Sequence, residues 1–175
     1  MLKASHILMV FILINLRFLS AQNPIYMFDE KSGQEIIYGN CSVEHLKTGI
    51  FGDYFKLEYP NYIPSPEIIE QINTHLEESK NLQIVVIIGT WCGDSKDQVP
   101  RFIKIIDEIS STRLRISEII CLDRTKTAPL FDNDKYKIEK VPTFIIYREN
   151  KEIGRIIETP QNTLETDLLQ ILLKQ

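Results

Sequence analysis

The sequence predicts an α/β fold: a mixed central β-sheet flanked by helices, preceded by an N-terminal extension. Three observations predict it. Apolar, β-rich runs at 82–88 and 115–122 alternate with segments of helical periodicity, as parallel βαβ units require. Two further β-rich runs, 143–148 and 152–158, are separated only by Glu149-Asn150-Lys151, which reads as a hairpin turn adding antiparallel strands at one side. The run 82–88 is continuously apolar, as expected of a strand covered on both faces.

Taken in order, residues 1–21 have the layout of a secretory signal peptide. Lys3 gives a positive start, residues 7–14 are an unbroken apolar run, and Leu19-Ser20-Ala21 ends on a small residue suited to cleavage. The apolar run is too short to span a bilayer. Arg17 near the cut is atypical and keeps a retained anchor as the alternative, while the lack of a cysteine at the cut argues against a lipoprotein. The expectation is an exported protein, periplasmic or secreted, that touches a membrane only if this segment is kept. Residues 22–64 are rich in Tyr, Gly, Asn and Pro without a long periodic pattern, and read as an extension packed on the main domain, 65–175. Within them, 25–28 and 35–38 suit a hairpin. Ser42 suits the cap of a short turn through Leu46. Phe51, Tyr54, Phe55, Tyr59 and Tyr62 supply packing surface.

In the main domain, Ser65-Pro66 starts a helix with Pro at its first position and Ile68, Ile69, Ile72 and Leu76 on one face. The strand 82–88 follows. A second helix spans about 95–109, with Val99, Phe102, Ile103 and Ile106 inward and Pro100 interrupting its hydrogen-bond ladder. After the strand 115–122, a short helix is expected over 128–136. Residues 163–173 close the chain as an amphipathic helix carrying Leu164, Leu168, Leu169 and Leu172.

Composition narrows function. The 175 residues are 43% hydrophobic and 25% charged, ordinary for a globular chain, with a formal net charge of −4. No block of Lys and Arg is present, which argues against a nucleic-acid partner. The histidines show no metal-ligand spacing with the cysteines, and no cofactor is required. Cys41, Cys92 and Cys121 make an odd number, so in an exported chain at least one is free or pairs with another molecule.

The chemistry concentrates at Thr90-Trp91-Cys92-Gly93-Asp94-Ser95, between the strand 82–88 and the helix after it. A strand-to-helix turn aims unpartnered backbone N–H groups and the positive end of the helix dipole at its first residues. Cys92 there reads as an exposed sulfur nucleophile, since helix N-termini favour the thiolate and the thiolate is the reactive form. Asp94 opposes that effect and Lys96 assists it.

With Pro100 eight residues beyond the cysteine and Val141-Pro142-Thr143 before the hairpin, these residues resemble the thioredoxin superfamily over roughly 65–174. More narrowly, 89–96 with Val99-Pro100-Arg101-Phe102, Asp123-Arg124-Thr125-Lys126 and Gly154-Arg155-Ile156-Ile157-Glu158 look like a group of exported bacterial thioredoxin-like proteins with a Trp-Cys-Gly-Asp-Ser motif. The resemblance implies a thioredoxin fold. Cys92 would be the attacking cysteine, Trp91 its flanking aromatic, and Pro142 a cis-proline whose turn presents the Val141 backbone to an extended substrate; Gly93 and Asp94 would complete the substrate-facing loop.

Three departures from the family pattern bear on mechanism, the first being Asp94 in place of the family's common proline, which with Lys96 leaves the direction of the net effect on Cys92 open. Ser95 stands where a dithiol enzyme carries its resolving cysteine; a serine can donate a hydrogen bond to the Cys92 sulfur but cannot expel a substrate by closing an internal disulfide. Val86 stands where ordinary thioredoxins bury an acid. The expected function is therefore a monothiol thiol–disulfide oxidoreductase, acting through Cys92 and Ser95 on client proteins or low-molecular-weight disulfides and needing an external thiol reductant. The alternative is a non-catalytic binding module on the same fold. Cys121, inside an apolar run, is expected in the core. Cys41 is read as a packed structural cysteine, with a bridge to Cys92 as the alternative.

Overall fold

The computed structural model describes residues 24–174, so the signal-peptide reading of 1–21 lies outside the described residues. Twelve elements follow one another: β1 Ile25–Asp29, β2 Gln34–Cys41, α1 Val43–Leu46, α2 Gly49–Asn61, α3 Pro66–Glu77, β3 Leu82–Ile88, α4 Gly93–Glu108, β4 Leu114–Cys121, α5 Asn133–Tyr136, β5 Thr143–Arg148, β6 Lys151–Ile157 and α6 Leu164–Leu172. The strands form one mixed sheet in the order β1-β2-β4-β3-β5-β6. Only β3 and β4 run parallel; every other neighbouring pair is antiparallel. This is the thioredoxin fold, its sheet flanked by helices.

The period-2 pleat divides the sheet's side chains between two apolar clusters. Ile84, Val86 and Ile88 of β3 join Phe144 and Ile146 of β5 in the larger one, with Phe55 of α2, Ile72 of α3, Phe102 of α4 and Leu168 of α6. Val85 and Ile87 point the other way, into a smaller cluster with Ile120, Val141, Ile145 and Tyr136 of α5. The continuous apolar run of β3 is thus explained by burial on both faces. The covers differ in weight: four long helices on one side, and one turn of helix with its loops on the other.

The N-terminal residues contribute more than the extension expected from sequence. The hairpin and the Ser42 cap are present, the latter as a capping box with His45. In addition, β2 pairs with β4, so this segment extends the central sheet itself. A thirteen-residue helix, α2, lies where no long periodic pattern was apparent. Its buried residues are Phe51, Gly52 and Phe55, with Tyr59 and Tyr62 continuing the same spacing half-buried. Gly49, Gly52 and Pro60 masked that pattern, since each is a poor helix former. Arg101 of α4 binds Glu58 Oε2 through Nε and Nη2 at 2.9 and 2.6 Å, fixing α2 against α4.

Some boundaries also moved, most of all at α5 and the β5–β6 hairpin. The helix expected over 128–136 is reduced to α5, capped by Asp132, whose side chain accepts from the Lys135 N–H. Pro129 disfavours a helical residue before it, and Leu130 holds a left-handed φ of 61°. The hairpin turn is the two residues Glu149 and Asn150, both at positive φ (50° and 65°), the type I′ pattern matched to strand twist, and Lys151 already belongs to β6. At the end of the chain two acids sit buried because each is partnered. Glu165 accepts from the Tyr62 hydroxyl at 2.6 Å and the Ser65 N–H at 3.2 Å, and Asp167 accepts from the Gln161 N–H at 2.6 Å.

Candidate active site

The chain leaves β3 at Ile88, turns through Gly89–Trp91, and enters α4 with Cys92 as N-cap. The turn is closed by the Cys92 N–H donating to Gly89 O at 2.8 Å, and α4 starts with Lys96 N–H on Cys92 O at 3.1 Å. Cys92 thus stands at the N-terminal end of α4, whose first backbone amides its side chain does not hydrogen-bond. The sulfur is half-buried and donates to Val141 O at 3.3 Å. The Val141–Pro142 peptide bond is cis. That turn is held from both sides: Thr143 Oγ1 donates to Lys140 O at 2.7 Å and Glu158 N–H to Pro142 O at 2.7 Å. Cys92, Val141 and Pro142 thus meet at one end of the sheet.

The remaining expected residues take distinct positions. Gly93 is exposed with open space around its α-carbon, and Asp94 lies half-buried in the first turn of α4. Beside them Lys140 pairs with Glu158 at 2.5 Å; Glu158 raises the lysine's pKa, with Asp94 and Glu139 adding to it. Ser95 is fully buried, and its hydroxyl accepts from the Gly89 N–H at 3.3 Å. No hydrogen bond joins this hydroxyl to the Cys92 sulfur. Lys96 lies over the Tyr54 ring of α2, 4.5 Å from its centroid. Val86 is fully buried in the larger core cluster, so the position resembling the family's buried acid is apolar here.

Trp91 is seated by residues that sequence reasoning had left without a role. Its indole N–H donates to Leu122 O at 2.9 Å. A β-carbon on Gly89 would sit 2.7 Å from the Trp91 ring, so glycine is what permits this seat. The Arg124 guanidinium lies over the indole, 4.6 Å from the ring centroid, a cation–π arrangement. Arg124 is in turn gripped by Asp29 through two hydrogen bonds of 2.8 Å. Asp29 raises the Arg124 pKa and burial opposes the rise.

Asp29 belongs to the N-terminal hairpin. It also organises the β1–β2 turn, accepting from the Ser32 N–H at 3.0 Å and the Ser32 hydroxyl, while Gly33 N–H reaches Asp29 O at 2.8 Å. A second tie runs from Ile37 N–H of β2 to Thr90 Oγ1 at 3.0 Å, fully buried. The Arg124 loop is itself shaped by Asp123, whose Oδ1 accepts from the N–H groups of Thr125 and Thr127 at 2.9 Å each. The tetrad 123–126 was visible as a motif; its partner Asp29, almost a hundred residues earlier, carried no local signal.

The Arg124 guanidinium, with help from Ser32, holds the Asp29 carboxyl well below the usual carboxylate range. A depressed folded-state value contributes stability that is present above the unfolded value of about 4 and lost as pH falls below it. Asp29→Asn is therefore expected to destabilise the protein at pH 7, with the gap from wild type narrowing as pH drops from about 5 toward 2. Denaturation curves at pH 7 and pH 3 check this. Trp91, the sole tryptophan, reports the loss of its cation by fluorescence.

The thioredoxin family model matches residues 68–170, and the chain belongs to the thioredoxin family. It is 34% identical over 99 residues to the chloroplastic thioredoxin Y2 of Arabidopsis thaliana, covering 51% of this chain and 56% of that protein. It is 31% identical over 80 residues to the chloroplastic thioredoxin Y of Oryza sativa subsp. japonica, covering 46% and 44%. The chain spans about half the length of these curated relatives. Among solved structures, a protein of unknown function from Pseudomonas aeruginosa is similar at 14% identity and a TM-score of 0.48, covering 78% of this chain and 86% of that one.

Proposed function

We propose that this thioredoxin-family protein is a monothiol thiol–disulfide oxidoreductase of the exported bacterial type, periplasmic or secreted, with Cys92 as its nucleophile. The single observation that carries the reading is the Cys92 sulfur: half-buried, at the first turn of α4, and 3.3 Å from the carbonyl of Val141 beside Pro142. Attack by the Cys92 sulfur on one sulfur of a client disulfide forms a mixed disulfide and releases the other client sulfur as a thiol. With serine at position 95, external thiols complete the cycle: one attacks the Cys92 sulfur of the mixed disulfide and releases the client's second thiol, and another attacks the resulting donor–Cys92 disulfide, freeing Cys92 and leaving the two donors joined as their disulfide. Trp91, held by Leu122 O and the Arg124 guanidinium, and the Val141–Pro142 turn are the surfaces offered to a client chain beside the sulfur. Client proteins and low-molecular-weight disulfides are the proposed substrates.

A second reading, a binding module without catalysis, is favoured by the serine at position 95, buried and bonded to the Gly89 N–H, and by the apolar Val86. Reduction of insulin disulfides with a monothiol donor separates the two. The enzyme accelerates the reaction above the donor alone; the module stays at background while still binding peptides. Ser95→Cys adds a sharper arm. A sulfur at this position supplies an intramolecular resolving thiol, and the insulin rate is expected to rise about tenfold or more through effective concentration. An unchanged rate would count against a competent site around Cys92.

A further inference from the structure

Cys41 ends β2 and Cys121 ends β4, and these strands pair antiparallel with Gly39 opposite Cys121 and Cys41 opposite Ile119. That register makes the two cysteines diagonal neighbours on one face of the sheet, within reach of each other's side chains. Both are free thiols, and their sulfurs lie 3.2 Å apart. A disulfide bond is about 2.05 Å long, so closure asks the sulfurs to approach by roughly 1.2 Å. The pair is also asymmetric. Cys41 is half-buried and open to a small reagent, whereas Cys121 has no exposed surface.

We propose that Cys41 and Cys121 form a second thiol centre, separate from Cys92, which closes to an intramolecular disulfide by exchange with a disulfide oxidant such as oxidised glutathione. The accessible Cys41 thiolate attacks one glutathione sulfur, forming a mixed disulfide and releasing one glutathione thiol. The Cys121 sulfur then gives up its proton and attacks the Cys41 sulfur, expelling the second glutathione as a thiol. Two protein thiols are oxidised and one glutathione disulfide is reduced, so atoms and electrons balance. Burial, followed by the neighbouring Cys41, pushes the Cys121 thiol pKa well up, consistent with Cys121 acting second and only from within the pair. The bond would join residues eighty apart, stapling to β4 the hairpin that supplies Asp29 to Arg124 and Ile37 to Thr90.

The test is disulfide mapping of the full chain after equilibration with oxidised glutathione, acid quenching, alkylation and non-reducing peptide mass spectrometry. The expected result is a Cys41–Cys121 linked peptide, two hydrogens lighter than the free peptides together, with Cys92 recovered as thiol or glutathione adduct. Cys121→Ala, which deletes the second sulfur, should leave Cys41 as a stable glutathione adduct. A Cys41–Cys92 link, a persistent glutathione adduct on Cys41 in the wild-type chain, or recovery of Cys41 and Cys121 as thiols would each overturn the proposal. Cys92→Ser gives the same Cys41–Cys121 result if the two centres are separate, so the outcome is independent of whether Cys92 is a catalyst.

Discussion

Cys92→Ser is expected to reduce client-disulfide exchange to the rate of the thiol donor alone and to abolish covalent capture of clients. Serine keeps the side chain's size, and its hydroxyl can donate to Val141 O as the thiol does at 3.3 Å. The turn, held by Cys92 N–H on Gly89 O and by Trp91 on Leu122 O, involves no side-chain atom of residue 92. The fold is therefore expected to survive while the sulfur–sulfur bond on which exchange depends can no longer form. The measurement is insulin reduction together with non-reducing gels of trapped adducts. Cys41→Ser, outside the site, is the control expected to retain both activities. A Cys92→Ser protein that kept half the wild-type rate would remove Cys92 from the mechanism.

Most main-domain elements were legible because each left a local signal, α5 being the one misjudged in extent. The run 82–88 became β3, and Pro66 marked the start of α3 to the residue. Leu164, Leu168, Leu169 and Leu172 marked the buried face of α6, whose cap proved to be Thr163. What was not legible depended on partners far along the chain. Nothing near Asp29 announced that it would grip Arg124, and nothing near Gly39 or Asn40 announced pairing with β4. Helix α2 was hidden for a different reason: its glycines and proline oppose a helix locally, and packing of Phe51 and Phe55 overrides them. The site divides along the same line. Cys92, Trp91 and Pro142 were readable from spacing and resemblance, whereas the direction of the Ser95 hydroxyl and the cation over Trp91 were set by tertiary packing. The same limit applied to the cysteines. Sequence placed Cys121 in the core but could not show that Cys41, eighty residues earlier, packs on its sulfur.

Phe144→Ala is expected to have the largest effect on stability, and its consequences reach the site. Phe144 and Phe102 are both fully buried and stack with ring centroids 4.1 Å apart. Phe102 rides on α4, the helix that Cys92 caps, and Phe144 lies on β5 two residues beyond Pro142. Their contact therefore fixes the distance between the elements that carry the sulfur and the turn facing it. Truncating Phe144 removes a large apolar side chain and leaves a cavity beneath α4, a change that costs about 3–5 kcal/mol in comparable cores. Against a total stability of about 5–15 kcal/mol that is a severe loss, and Tm should fall by roughly 10 °C. Denaturant titration checks it: the midpoint should drop with the slope unchanged, as for a loss of packing within an intact two-state fold. Phe144→Leu, which refills much of the volume, should recover more than half of the loss. If the contact also sets the site, Cys92 in the alanine variant should alkylate faster than in wild type under native conditions, because its contact with Val141 O is loosened. An unchanged alkylation rate beside a large drop in stability would show instead that the turn and the helix start are held by their own hydrogen bonds, from Thr143, Glu158 and Gly89, without help from the aromatic pair below.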